Sequence, residues 1–176
     1  MARKKRGGVV LGVLGGVLIV GGGALLAGVL LAPQQVEQTY GAIRTSVTKT
    51  VDKVQQDVFH ELPTVTLGVE GGIPELDRCD GTFTVMTSYE REGVPPVAAA
   101  HNNCGGDVLL PWEVGQQIKI EGRDDVYEVV EIRDQISKVW NSTEELVGLK
   151  GEIALQSCFY GEDRMKFIGL EPVHDA

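Results

Sequence analysis

A chain of 176 residues has room for one domain of ordinary size, with a surplus at one end. The formal net charge of −9 hides a split, because Arg3, Lys4, Lys5 and Arg6 contribute +4 and leave −13 for everything after them. A domain this acidic repels phosphate, which excludes nucleic acid as an expected partner and suits a cationic or amine-bearing one, unless the charge serves solubility alone.

Residues 1–6 form the basic head. Residues 7–32, "GGVVLGVLGGVLIVGGGALLAGVLLA", carry no charge and only small or aliphatic side chains. As a helix rising about 1.5 Å per residue, this run crosses a hydrocarbon core of about 30 Å with some tilt to spare. Its glycines would weaken a soluble helix, but in lipid the backbone can satisfy itself only by staying helical. A cleavable signal peptide has an apolar region of about 7–15 residues, so this run reads as a retained signal-anchor. The basic head sets the N-terminus inside and the remainder outside. The expected location is therefore the cell membrane, as a single-pass protein with an extracytoplasmic domain.

In residues 33–60 the apolar positions are Val36, Tyr40, Ile43, Val47, Val51, Val54 and Val58. Steps of three and four mark one face of a helix. Its β-branched valines make it mediocre in isolation, so it needs a surface to lie on or a partner to coil with. It reads as a helical linker or packing helix between the membrane and the domain.

Residues 61–176 form that domain, and from Leu62 the texture changes. Short β-rich runs at 64–69, 82–88, 96–101, 116–121, 126–132, 152–158 and 164–170 are separated by Gly71-Gly72, Asp80-Gly81, Gly93, Gly105-Gly106 and Gly122. Short strands at this spacing predict a mainly β fold, a barrel or sandwich. One brief helix is expected at 142–147, capped by Ser142 or Thr143. "ELPTVT" (61–66) reads as the lead-in to the first strand, and Trp112 as core.

The three cysteines are odd in number for a compartment that permits oxidation, so at least one thiol is left over. Cys79 and Cys104 each sit at a turn beside a strand, and a disulfide between them is one open arrangement that only the Cβ separation decides. Cys158 ends "EIALQSC", where alternation sets Ile153, Leu155 and Ser157 on one face and Ala154, Gln156 and Cys158 on the other. The thiol shares the more polar face, and a hairpin through "FYGED" would bring Arg164 near it to stabilise a thiolate or hold a substrate oxygen. Of the three histidines, His174 is in the tail and His60 in the linker. His101 closes the strand "VAAAH" before a polar turn, a place where a side chain faces a cleft and where a base for the thiol is wanted.

These segments resemble the sortases, membrane-anchored cysteine transpeptidases of bacterial surfaces. "VAAAHNN" (97–103) looks like the strand that ends in the family's histidine, and residues 107–132 look like the segment that follows it. "ALQSC" (154–158) is similar to the signature ending in the nucleophile, with Ala154 and Ser157 where the family has threonines. Arg164 falls on the next strand, where the family keeps its arginine. The resemblance spans 62–173 behind an N-terminal anchor and implies a closed β-barrel of about eight strands with short helices. It implies Cys158 as nucleophile, His101 as acid, Arg164 as holder of substrate backbone or oxyanion, and Leu155 and Ser157 beside the bound substrate. It further implies cleavage of an LPXTG-like sorting signal on a surface protein and transfer to an amine of a cell-wall precursor, with no cofactor. Two rivals stand against it. Cys79, His101, Cys104 and Cys158 could ligate zinc, although a tight Cys-x-x-Cys pair is missing. Alternatively, the barrel is a membrane-anchored binding module that performs no chemistry.

Overall fold

The computed structural model describes residues 32–138 and 143–173. The basic head, the predicted anchor up to residue 31, His174 and Ser142 lie outside the described residues. Among the described residues, no helix is long and apolar enough to cross a membrane.

Eight strands form one sheet that curls almost into a closed barrel, in the order β1-β5-β6-β8-β7-β4-β3-β2. They are β1 (Thr64–Val65), β2 (Leu67–Gly71), β3 (Phe83–Met86), β4 (Val97–Ala99), β5 (Gln117–Ile120), β6 (Val126–Ser137), β7 (Ile153–Cys158) and β8 (Arg164–Pro172). The first predicted strand is split at Thr66, and that split is what brings the two ends of the sheet together. Thr64–Val65 pair in parallel with β5, whereas Leu67–Gly71 pair in parallel with β3. One extended segment thus bridges the two edges, which leaves little unpaired backbone exposed. The predicted helix at 142–147 is a single 3-10 turn, Thr143–Leu146.

Two apolar clusters lie on opposite faces of β7 and β8. Inside the barrel, Phe83, Leu109, Ile118, Tyr127, Leu155 and Ile168 are all at most 2 % exposed. On the outer face, Val97, Ile136, Leu146, Leu149, Met165 and Phe167 make a second cluster against which Cys158 and Tyr89 pack. Arg133 fastens this roof by donating to the carbonyl oxygens of Glu145 (2.6 Å) and Val147 (3.2 Å). β7 is therefore buried on both sides.

The linker is helix α1, Pro33–Val54, followed by one π-helical turn, Gln55–Phe59. Its seat on the barrel is polar. Arg44 Nη2 donates to Asp107 Oδ2 at 2.7 Å, Lys49 Nζ to Glu113 at 2.6 Å, and Gln38 Nε2 to the Gly161 carbonyl at 3.0 Å. Trp112 is core as expected, yet its Nε1 donates to Asp52 on the helix at 3.1 Å. Gly41 allows the close approach, since a Cβ there would meet Tyr160 Cβ at 2.6 Å. A second short helix, α2 (Ile73–Leu76), follows β2 and is capped by Glu75 Oε2 accepting from Gly72 N–H at 2.9 Å.

Candidate active site

β4 and β7 run parallel as neighbours, with Ala98 opposite Leu155 and Ala99 opposite Gln156. Their ends carry His101 and Cys158, and both side chains line one cleft of about 400 Å³. The remainder of the lining mixes apolar groups (Ile73, Leu76, Met86 and Met165) with the polar ends of Tyr89, Gln156 and Lys138.

Cys158 is the one free cysteine, because Cys79 and Cys104 form a disulfide with their Cα atoms 5.0 Å apart. That bridge removes two of the ligands a zinc site would have used. Gln156 Nε2 lies 3.6 Å from Cys158 Sγ. The predicted alternation along β7 holds, but the face carrying Cys158 is partly roofed by the second cluster, which leaves the thiol half-buried at the cleft. Burial consequently pushes the thiol above its ordinary pKa, and the Lys138 charge and the Gln156 hydrogen bond work in the other direction.

His101 Nε2 is 2.8 Å from Asp77 Oδ1. A carboxylate only accepts, so Nε2 carries a proton and Nδ1 is the nitrogen left for a substrate. The disulfide straps this pair together, since Cys79 lies two residues beyond Asp77 and Cys104 three beyond His101. Gly106 packs between the two strand ends. A Cβ on it would meet the Ala100 carbonyl oxygen at 2.3 Å and Ser157 Oγ at 2.5 Å.

Arg164 is not brought to this cleft. The β7–β8 hairpin exists, but its register sets Cys158 opposite Met165 and Ser157 opposite Lys166. Residues opposite one another share a face, so Arg164 belongs with Ser157 and Lys166 on the side away from the thiol. Its guanidinium stacks on Phe159 (3.8 Å to the ring centroid), pairs with Glu162 and donates to the Asp134 carbonyl at 3.1 Å. It lines a separate cleft under α1. Leu155 and Ser157 are both fully buried, Leu155 in the barrel interior and Ser157 with its hydroxyl unpartnered below Gly106, so neither is reachable by a substrate.

Lys138, Asp77 and Gln156 are additions to the residues singled out by sequence. Lys138 lies beyond the predicted end of its strand because β6 runs on to Ser137. Its Nζ donates to the Phe159 carbonyl at 3.0 Å. Asp77 had no signal of its own, since it follows a helix too short to show periodicity.

No protein family, curated protein or solved structure matches this chain.

Proposed function

We propose that the barrel is a sortase-like cysteine transpeptidase. The observation that carries this reading is the shared cleft, lined by both the one free thiol and a carboxylate-oriented imidazole at the ends of adjacent parallel strands. Cys158, once deprotonated, attacks the carbonyl carbon of a Thr–Gly bond in an LPXTG-like signal. The Sγ–C bond forms, the C–N bond breaks, and the proton given up by the thiol is taken by His101 Nδ1 and handed to the departing amine. An amine from a cell-wall precursor then attacks the thioester and releases the thiol. The apolar wall of Ile73, Leu76 and Met86 suits the Leu-Pro part of such a signal. Among the described residues Lys138 is the lysine or arginine lining this cleft, and it takes the electrostatic role that the resemblance assigns to Arg164. Arg164 would have to leave Glu162 and Asp134 to share it.

The anchor read from residues 7–32 would hold the enzyme beside membrane-bound substrates, where local concentration is high. The Cys79–Cys104 bridge fits an oxidising, extracytoplasmic compartment.

The half-buried thiol, pushed above its ordinary pKa, and the withdrawn Arg164 favour a second reading, an anchored barrel that binds such peptides without cleaving them. Incubating the full chain with a library of sorting-signal peptides separates the two. The transpeptidase gives an acyl adduct on Cys158 by mass spectrometry, absent in Cys158→Ala and reduced in His101→Ala. Lys138→Ala lowers adduct formation more than Arg164→Ala does. Peptide binding with no adduct at any pH would leave the binding module standing.

A further inference from the structure

The apolar stripe of α1 is not what holds α1 to the barrel. Gln38, Gly41, Lys49 and Asp52 make the seat on the side of the helix turned away from the stripe, and Arg44 reaches Asp107 from the stripe's edge. Val36, Tyr40, Ile43, Val47, Val51, Val54 and Val58 remain between 38 and 62 % exposed. At its first turns the stripe still borders the barrel, since Val36 and Tyr40 line a cleft with Asn102, Phe159 and Tyr160, and Tyr40 sets a ring edge against Tyr160.

The stripe also has a period. Val36, Tyr40 and Ile43 recur eleven residues later as Val47, Val51 and Val54, and Val47 recurs as Val58. An eleven-residue repeat corresponds to about 3.67 residues per turn, so the stripe stays on one side of a nearly straight helix and favours a slight right-handed supercoil. We propose that this stripe is the interface between two copies of this chain, whose α1 helices pair in parallel and in register, each with its barrel on the outer side.

Three observations select a second copy as the occupant. In a parallel, in-register pair each stripe position meets its own equivalent, and all six on α1, Val36 to Val54, are apolar, so no polar side chain is trapped. The uncharged run at 7–32 stands directly before α1, and two copies held by such anchors in one bilayer present their helices side by side, pointing the same way. The bilayer surface itself is a poor match. Two of the helix's three cations, Arg44 and Lys49, are spent on barrel carboxylates, and the chain after residue 6 carries −13, so anionic lipid has little to attract.

Single cysteines placed in the full chain, in bacterial membranes and a Cys158→Ala background, test this. Ile43→Cys, Val47→Cys, Val51→Cys and Val54→Cys should form disulfide-linked dimers on mild oxidation. Ser46→Cys and Lys53→Cys, exposed but off the stripe, should crosslink less by more than about tenfold. Adding Val47→Asp and Val51→Asp together should cut crosslinking at Ile43→Cys by more than about tenfold while the unfolding midpoint of the barrel stays put. Stripe cysteines that stay monomeric yet react freely with maleimide would overturn the proposal. So would stripe cysteines shielded from maleimide without crosslinking, which would assign the stripe to lipid or to residues 1–31. Crosslinking unaffected by the two aspartates would reduce it to random collision.

Discussion

Cys158 sits at the end of β7 with Met165 opposite, Phe167 two pairs further back and Lys138 also lining the cleft. Its resting form is the thiol, because burial opposes the charge more than Lys138 and Gln156 favour it. Reaction with iodoacetamide, which needs the thiolate, should therefore rise by about tenfold per pH unit through the neutral range. Lys138→Ala should slow it further at any fixed pH by removing the one charge that favours ionisation. A rate flat between about pH 6 and 8 would mean that the thiolate is already formed. Gly106 is as sensitive for a different reason. The Ala100 carbonyl and the Ser157 hydroxyl occupy the space a Cβ needs, so Gly106→Ala should cost about 1–3 kcal/mol in urea unfolding. It should also spread apart the strand ends that carry His101 and Cys158. At these positions the parity of Cys158 was legible from alternation, but neither its roof nor the register that turns Arg164 away could be read. Both depend on which residues oppose one another across a hairpin, and a shift of one position reverses every face.

The strands themselves were legible because each is a short run with alternating or continuous burial, punctuated by glycine. What escaped was shorter or longer than the signal. α2 has four residues, less than the repeat needed to see a helix, and β6 continues past its apolar part into Arg133, Asp134 and Gln135. α2 matters because Asp77 and Cys79 follow it, and the Cys79–Cys104 bridge holds that segment against the turn after His101. Reducing the bridge, or Cys79→Ser with Cys104→Ser, should lower the unfolding free energy by about 2–4 kcal/mol. Urea titration with and without reductant measures this, and coincident midpoints would show that backbone contacts alone fasten the two segments. α1 taught the opposite lesson. Its helical period was plain, but the natural inference that the apolar face packs inward is wrong for this domain, where Asp107 and Glu113 draw the basic, polar face down instead.

Lys166 links these elements across the molecule. It is 5 % exposed on β8, and its Nζ donates to the carbonyl oxygens of Leu110 (2.9 Å) and Trp112 (2.6 Å), tying the segment after the 3-10 turn Gly106–Leu109 to the sheet. Burial nevertheless outweighs these bonds and the nearby Asp134 and Glu113, and lowers its pKa from 10.5 to about 8. A base with a depressed folded pKa binds fewer protons when folded, so its contribution to stability grows as pH rises from about 8 towards 10.5 and is lost as pH falls back through 8. The unfolding free energy of the wild type minus that of Lys166→Met should accordingly increase over that interval and level off below it. A difference independent of pH would mean that Lys166 keeps its ordinary pKa in the fold.

Local pattern was enough to reveal a mainly β domain behind an apolar run and a helix, an odd thiol on β7 and a histidine at the end of another strand. Those features depend on residues near one another along the chain, where periodicity, glycine turns and β-branching act directly. The tertiary structure alone decided that β4 and β7 lie side by side, that Cys79 bridges to Cys104, that Lys138 and not Arg164 faces the thiol, and that the stripe of α1 faces away from the barrel. Each of these turns on which distant segments share a face or compete for the same carboxylate, and such long-range pairings leave no mark on the spacing of residues within a single segment.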